Sequence, residues 1–357
     1  MTECEVEELI QKFHAILEPD FPEWLQEYIE TPVLQKQKYI STTCGTIYSD
    51  LFGGQRFYSS LDHAIGVALI VWHFTHDKKQ TLAGLFHDIA TPVFKHCVDF
   101  MNGDHLAQES TEDLTTKLIA GSPEIRRLLK RDGILVSEVD NYHLYPIADN
   151  DTPKLSADRL EYSLANMLFT YGVADLAEIR EMYGDIVVQS DENGVKELGF
   201  QTKKIARKFV KLTSQLSLFY REDRTRYSMQ FLADILKKMS EAGRISVADL
   251  YQMKESEVIK MILASNSKRR QEILKDAGFN FKVITSNIKE ISDKKIITEK
   301  VLDIAEKKLE QIAKDNKNEF ILAADTVVEL NGKIFGKPKD MEEAFSFLKT
   351  LSGNTHK

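Results

Sequence analysis

The sequence predicts a mainly α-helical domain followed by a small α/β module. Three observations carry that reading. Apolar residues recur at helical spacing from about residue 5 to 258, and near Met261 the pattern changes to strand–helix–strand alternation. The third is length: 357 residues are long for one domain. The boundary falls at 258/259, which gives a helical domain over 1–258 and an α/β module over 259–357.

The helical period runs through DHAIGVALIVWHF, TLAGLFHDIA, ESTEDLTTKLIAG, SPEIRRLLKRDG, SADRLEYSLANMLFTYG and RTRYSMQFLADILKKMSEAG. In the second of these Leu82, Leu85, Phe86 and Ile89 share one face, so a helix is expected through His87 and Asp88. Ser122 before Pro123 and Ser156 before Asp158 are helix-starting signals, and Gly243 is a stop. DIVVQSDENGVKELGF breaks the pattern, and its Asn193-Gly194 pair between apolar runs predicts a small hairpin. Beyond the boundary, IKMILASNS reads as a strand entering a polar turn, KRRQEILKDAGF as a helix and NFKVITSN as a strand. A Lys/Glu-rich helix to about Asn316 and a strand in EFILAADTVVEL follow.

A hydrophobic fraction of 43% with 29% charged residues is ordinary for a soluble globular protein. A net charge of −8 argues against a scaffold that holds nucleic acid by general electrostatics. Cys4, Cys44 and Cys97 are far apart and odd in number, so they read as reduced thiols in a cytosol. MTECEVEELIQKF is acidic and amphipathic, unlike a signal peptide, and the apolar run AIGVALIVW is too short to span a bilayer. The expectation is a soluble cytoplasmic protein with neither membrane nor nucleic-acid partners.

Six of the nine histidines lie between positions 63 and 105. His63 opens an apolar helical run, His87-Asp88 sits on the next, His96 and His105 follow, and Asp158 opens a third helix. Any one histidine alone is more often a core or surface residue. Two histidines and two aspartates from successive helices would instead supply two nitrogen and two oxygen donors. That set suits Mn, Fe, Zn, Ni or Mg and leaves positions open for water and phosphate. Such a site fits phosphate-ester hydrolysis.

These motifs resemble the HD-domain metal phosphohydrolases, a helical-bundle fold, and most closely their deoxynucleoside triphosphate triphosphohydrolase branch. SSLDHAIGVALI is similar to the first-ligand helix, LFHDIATPVFKH to the HDIGHxPFSH box and SADRLEYSLANMLFTYG to the Asp-Lys/Arg-x-Asp-Tyr helix, over roughly residues 40 to 240. The resemblance implies His63, His87, Asp88 and Asp158 as metal ligands, with Asp88 also in the catalytic set. It implies His105 as the acid that protonates the leaving alkoxide, and it brings Arg159, Tyr162 and His96 to the substrate. Three positions depart: the box's Gly is Ala90, its middle His is Thr91, and the Arg usual three residues before the first His is Ser60. Arg221, Arg224 and Arg226 read as a solvated helix face.

In the second module, a strand, a Ser/Asn turn and a helix beginning with two arginines form a candidate anion site. SxSxRR (Ser265, Ser267, Arg269, Arg270), ADTVV (Ala324 to Val328), GKP (Gly336-Lys337-Pro338) and LSGNTH occur in order, as in the Maf family of nucleoside triphosphate pyrophosphatases, which they resemble. The resemblance implies that Ser265, Arg269 and Arg270 bind triphosphate, that Lys337 assists and that Asp325 is the base or a metal carboxylate. Glu290 matches a further acidic position, and Lys268 replaces a usual Pro. The chain stops at Lys357, where that family continues for roughly as much again. A shortened N-terminal half-domain with little activity of its own is therefore expected.

The leading expectation is metal-dependent hydrolysis of nucleotide phosphate esters, with a (d)NTP split into nucleoside and tripolyphosphate as the favoured case. The alternatives are a nucleotide-binding regulatory protein with a degenerate HD site, and pyrophosphate release by the Maf-like part. HD relatives often assemble, so a homo-oligomer is compatible with this reading.

Overall fold

The stretch from Ser60 to Thr75 has almost no polar face, and the helix it forms is buried on nearly every side: Ala64, Val67, Ala68, Leu69, Ile70 and Val71 are each at most 2% exposed. The computed structural model describes residues 2–48, 52–102, 114–241, 243–258, 261–263, 267–276, 281–316, 319–336 and 338–355. It divides into two compact units, Met1–Val258 and Ile259–Lys357.

The first unit is helical. It opens with α1 (Glu3–Leu17), α2 (Glu23–Ile29) and α3 (Pro32–Gln35), followed by the central helix, α4 (Ser60–Thr75). Next come α5 (Lys78–Phe86), α6 (His96–Asn102), α7 (Thr115–Gly121), α8 (Pro123–Asp132), α9 (Ala157–Ala165) and α10 (Leu176–Tyr183). A hairpin of β1 (Ile186–Ser190) and β2 (Lys196–Phe200) precedes α11 (Lys203–Arg221), α12 (Asp223–Glu241), α13 (Val247–Leu250) and α14 (Glu255–Val258). Helices α1, α5 and α9 pack directly on α4. Gly84 lets α5 approach closely, because a Cβ there would meet the Val67 side chain at 3.3 Å.

Local chemistry sets the helix starts that position the site. Ser59 and Asp62 form a reciprocal capping box on α4, with the Ser59 hydroxyl accepting from the Asp62 N–H at 3.1 Å. Ser156 accepts from the Arg159 N–H at the start of α9, and Ser122 from Ile125 at the start of α8, where Pro123 takes the first helical position. Gly194 turns the β1–β2 hairpin at φ 77°.

Helix α5 is shorter than its apolar period suggests. Leu82, Leu85, Phe86 and Ile89 are all buried, but the α-helix ends at Phe86 and tighter turns carry the chain on, with the Ile89 N–H reaching Phe86 O at 3.0 Å. Pro92 follows, and the residue before a proline is driven out of helical backbone. His87 and Asp88 therefore sit on a helix exit. Helix α9 also changes course, passing into a π-helical turn over Asn166–Thr170.

In the second unit, β3 (Met261–Leu263) lies between β4 (Phe281–Val283) and β5 (Phe320–Leu322) in a parallel sheet. Met261 pairs with both Phe281 and Phe320. Helices α15 (Lys268–Asp276), α16 (Ile297–Ala313) and α17 (Met341–Leu351) complete it, together with a hairpin of β6 (Val328–Leu330) and β7 (Lys333–Phe335). EFILAADTVVEL is thus two strands, β5 and β6, with Asp325 in the link between them. Asn331 and Gly332, at φ 52° and 80°, turn the hairpin. Among the described residues no helix is long and apolar enough to cross a membrane.

Candidate metal centre

The exit of α5 and the starts of α4 and α9 bring His63, His87, Asp88 and Asp158 together. His63 Nε2 lies 3.2 Å from His87 Nε2 and 3.3 Å from an Asp158 carboxylate oxygen. His87 Nε2 is 3.8 Å from that oxygen and 3.9 Å from an Asp88 oxygen. Two donors each about 2.1 Å from one ion lie about 3.0 Å apart at a right angle and about 3.4 Å apart in a tetrahedron. The nitrogen pair fits that geometry, and the carboxylates are within a small rotation of it.

The outer nitrogens fix which ones face inward. The Nδ1–H of His87 donates to Gly84 O at 2.7 Å, one turn back on α5. His63 Nδ1 pairs with the carboxylate of Glu161, which is fully buried one turn after Asp158 on α9. Both Nε2 atoms are thereby turned toward one another, an arrangement suited to a shared cation. Burial alone would lower the pKa of His63, but Glu161 and Asp158 outweigh it and raise the imidazole to about 10. Burial would raise Asp88, yet Lys95, His87 and His63 hold it well below the usual carboxylate range; Asp158 is lowered despite burial, chiefly by His63. The donor set of two imidazoles and two carboxylates fits a divalent ion.

Glu161 owes its place to a glycine. A Cβ on Gly66 of α4 would meet a Glu161 carboxylate oxygen at 2.7 Å and its Cγ at 2.8 Å. That same oxygen accepts from Tyr58 at 2.6 Å, while the other faces His63, and the Tyr58 hydroxyl lies 3.3 Å from His14 Nε2. Gly66→Ala is expected to push Glu161 away from His63 and to cost about 1–3 kcal/mol, as overpacking does. Chemical denaturation checks the stability, and the loss of bound metal after dialysis checks the site.

Lys95 approaches from the other side, its ammonium 2.7 Å from Asp88. Phe94 and Lys95 have φ of 62° and 44°, a left-handed pair uncommon for side chains of this size. Fully buried Glu255 holds that turn by accepting the Phe94 N–H at 3.1 Å and the Tyr48 hydroxyl at 2.8 Å.

A cavity of about 500 Å³ opens over the cluster, and Tyr142, Tyr162, Asn166, Tyr171 and Tyr220 are among the residues lining it. Tyr162 and His96 lie on this wall, as their motif positions suggest. Arg159 does not. Its guanidinium is taken up by Asp149 at 3.2 Å, Lys154 O at 2.9 Å and Asn150, so it is not available to a phosphate in the cavity. His105 lies outside the described residues. Sequence reasoning missed Glu161, Lys95 and Glu255. For Glu161 there was a signal, an acid three residues after Asp158 on a helix whose other face is apolar.

In the second unit, Asp325 and Glu290 meet at Lys308, whose ammonium is 2.8 Å from each. Lys308 is 7% exposed and shares a buried stripe of α16 with Ile304 and Ile312; a lysine on such a stripe was the overlooked signal. Arg270 donates to Ala324 O at 2.8 Å and to the Thr326 hydroxyl at 2.9 Å, while Arg269 is exposed. Ser265 and Lys337 lie outside the described residues.

Comparison with known proteins bears chiefly on this second unit. Residues 260–357 match the family model described as Maf-like protein, so the C-terminal unit is Maf-like. A dTTP/UTP pyrophosphatase of Fusobacterium nucleatum subsp. nucleatum is 82% identical over 97 residues, which cover 27% of this chain and 50% of that protein. A dTTP/UTP pyrophosphatase of Caldanaerobacter subterraneus is 46% identical over 99 residues, covering 28% of this chain and 48% of that protein. The chain spans about half the length of the curated relatives it matches. Among solved structures, a hypothetical protein from Aquifex aeolicus has a TM-score of 0.50 at 17% identity, covering 71% of each chain. That likeness concerns the fold alone.

Proposed function

We propose that the helical unit is a metal-dependent phosphohydrolase that cleaves phosphate esters of nucleotides. The observation that carries the reading is the inward-facing pair of imidazole nitrogens flanked by Asp88 and Asp158, with both outer nitrogens already engaged. His63, His87, Asp88 and Asp158 would hold the ion, which supplies Lewis acidity toward phosphoryl oxygens and toward water. Glu161 orients His63 and adds negative charge behind it. Lys95 stands at the cavity wall where a phosphoryl oxygen would otherwise meet only carboxylates. Tyr162, Tyr171 and Tyr220 offer aromatic surface to a nucleoside. The motif resemblance favours a (deoxy)nucleoside triphosphate; the charge in the cavity points elsewhere.

A second reading rests on the Maf-like unit. Its family match and the Lys308–Asp325–Glu290 contact favour release of pyrophosphate from a nucleoside triphosphate. The test is product analysis on the purified full chain with Mn and a panel of nucleotides. Nucleoside release, lost in His87→Ala/Asp88→Ala, is the expected outcome for the helical unit. Monophosphate plus pyrophosphate, lost only in Asp325→Ala, would assign the activity to the second unit instead.

A further inference from the structure

We infer that the cavity over the His63–His87–Asp88–Asp158 cluster is built for a nucleoside monophosphate, a dianionic monoester, and that Lys95 is the side chain that matches its charge. This rests on the phosphohydrolase reading of the site. Among the described residues lining the cavity, Lys95 is the one lysine or arginine. Arg159, the other cation that the motifs bring near, is turned into its own loop by Asp149 and two backbone carbonyls. The residues of this unit outside the description, 1, 49–51, 103–113 and 242, include no lysine or arginine, while 103–113 carry four acids and one histidine.

Apart from His63, His87 and His96, the remaining walls are neutral or negative. Tyr142, Tyr162, Tyr171, Tyr220, Asn166 and Thr225 carry no charge at neutral pH, and Asp88, Asp158 and Glu161 are acids. Tyr171 stacks on Phe219 with ring centroids 4.6 Å apart, and the Tyr220 hydroxyl accepts from Asn166 at 2.9 Å, so this wall is packed rather than loose. A divalent ion and the Lys95 ammonium together offset the carboxylates of Asp88, Asp158 and Glu161, so every charge on the substrate is added to a site near neutrality and a monoester dianion adds the least. The extra charge of a triphosphate would face tyrosine and threonine with no cation to replace its water. In the reaction, a water oxygen forms a bond to phosphorus and the P–O5′ bond breaks. Its electron pair goes to O5′, which takes up a proton, and nucleoside and orthophosphate leave.

The experiment has two independent readouts on the full chain. With Mn, kcat/KM for nucleoside 5′-monophosphates is expected to exceed that for the triphosphates by about tenfold or more, the worth of a charge-assisted contact. Lys95→Met is expected to raise KM for the monophosphate by about tenfold while changing the triphosphate value less. Calorimetry with nucleoside 5′-phosphonates, in which carbon replaces the bridging oxygen, reads binding without turnover. Tighter binding of the monophosphonate than of its diphosphorylated form supports the inference, and equal or weaker binding overturns it. A triphosphate preference in kcat/KM overturns it as well. Absence of turnover, or turnover unaffected by His87→Ala/Asp88→Ala, counts against the phosphohydrolase reading, and calorimetry then still decides the ligand class.

Discussion

Glu161→Ala is expected to weaken metal binding by about 10–100-fold and to destabilise the metal-free helical unit by about 3–5 kcal/mol. The two effects have one origin. Glu161 is fully buried and faces two partners, the Nδ1 of His63 and the hydroxyl of Tyr58. Removing the carboxylate leaves the buried His63 imidazole without the charge that most raises its pKa, and leaves the Tyr58 hydroxyl with its longer contacts to the Asp62 carbonyl at 3.1 Å and His14 Nε2 at 3.3 Å. It also frees the imidazole to rotate, so that Nε2 is no longer held toward His87. Glu161→Gln keeps the shape and the contact to Tyr58 but withdraws the negative charge. It should therefore recover most of the stability and only part of the metal affinity. Denaturant unfolding of the metal-free protein gives the first quantity, and competition with a chelating indicator gives the second. If Glu161→Ala bound metal as tightly as the parent, the orienting role would be excluded.

Much of this candidate site was legible because each proposed ligand belongs to a short local pattern. His63 follows a capping box, His87-Asp88 ends an apolar stripe, and Asp158 sits two residues after a capping serine. Types and order were therefore readable, while the directions of side chains were not. Arg159 shows the difference: its neighbours in sequence place it beside the last ligand, but Asp149 and the carbonyls of 150 and 154 turn it away, and that loop carries no periodic signal. The end of α5 at Phe86 was hidden because Ile89 keeps the helical period through tighter turns that still bury it. In the second unit, EFILAADTVVEL reads as one strand because both ends are apolar, and only the fold reveals that Asp325 sits in a link and meets Lys308. Glu255 reaches the Phe94 N–H across 161 residues of chain, beyond the reach of any local pattern.

The Glu255 contact makes a pH-dependent prediction. Burial raises its pKa from 4.5 to about 7, against opposing hydrogen bonds from Tyr48, Ser41 and Phe94 and the charge of Lys36. In the unfolded chain the carboxyl ionises near 4.5, so between pH 4.5 and 7 the folded protein binds more protons than the unfolded one. Stability from this group therefore falls as pH rises through that window, by up to about 3 kcal/mol, and is level on either side. Lys36, lowered by burial to about 8, titrates above the window. Glu255→Gln should abolish this slope while leaving acceptance of the Phe94 N–H intact, so the difference between parent and variant unfolding free energies isolates the group. Glu255→Ala removes the acceptor altogether. The left-handed Phe94–Lys95 turn then loses the contact that holds it, and Lys95 is expected to move from Asp88 and raise KM for substrate. A variant with unchanged KM would mean that the packing of Phe94 alone sustains the turn, whereas parallel losses in KM for Glu255→Ala and Lys95→Met would tie the buried acid to the lysine it positions.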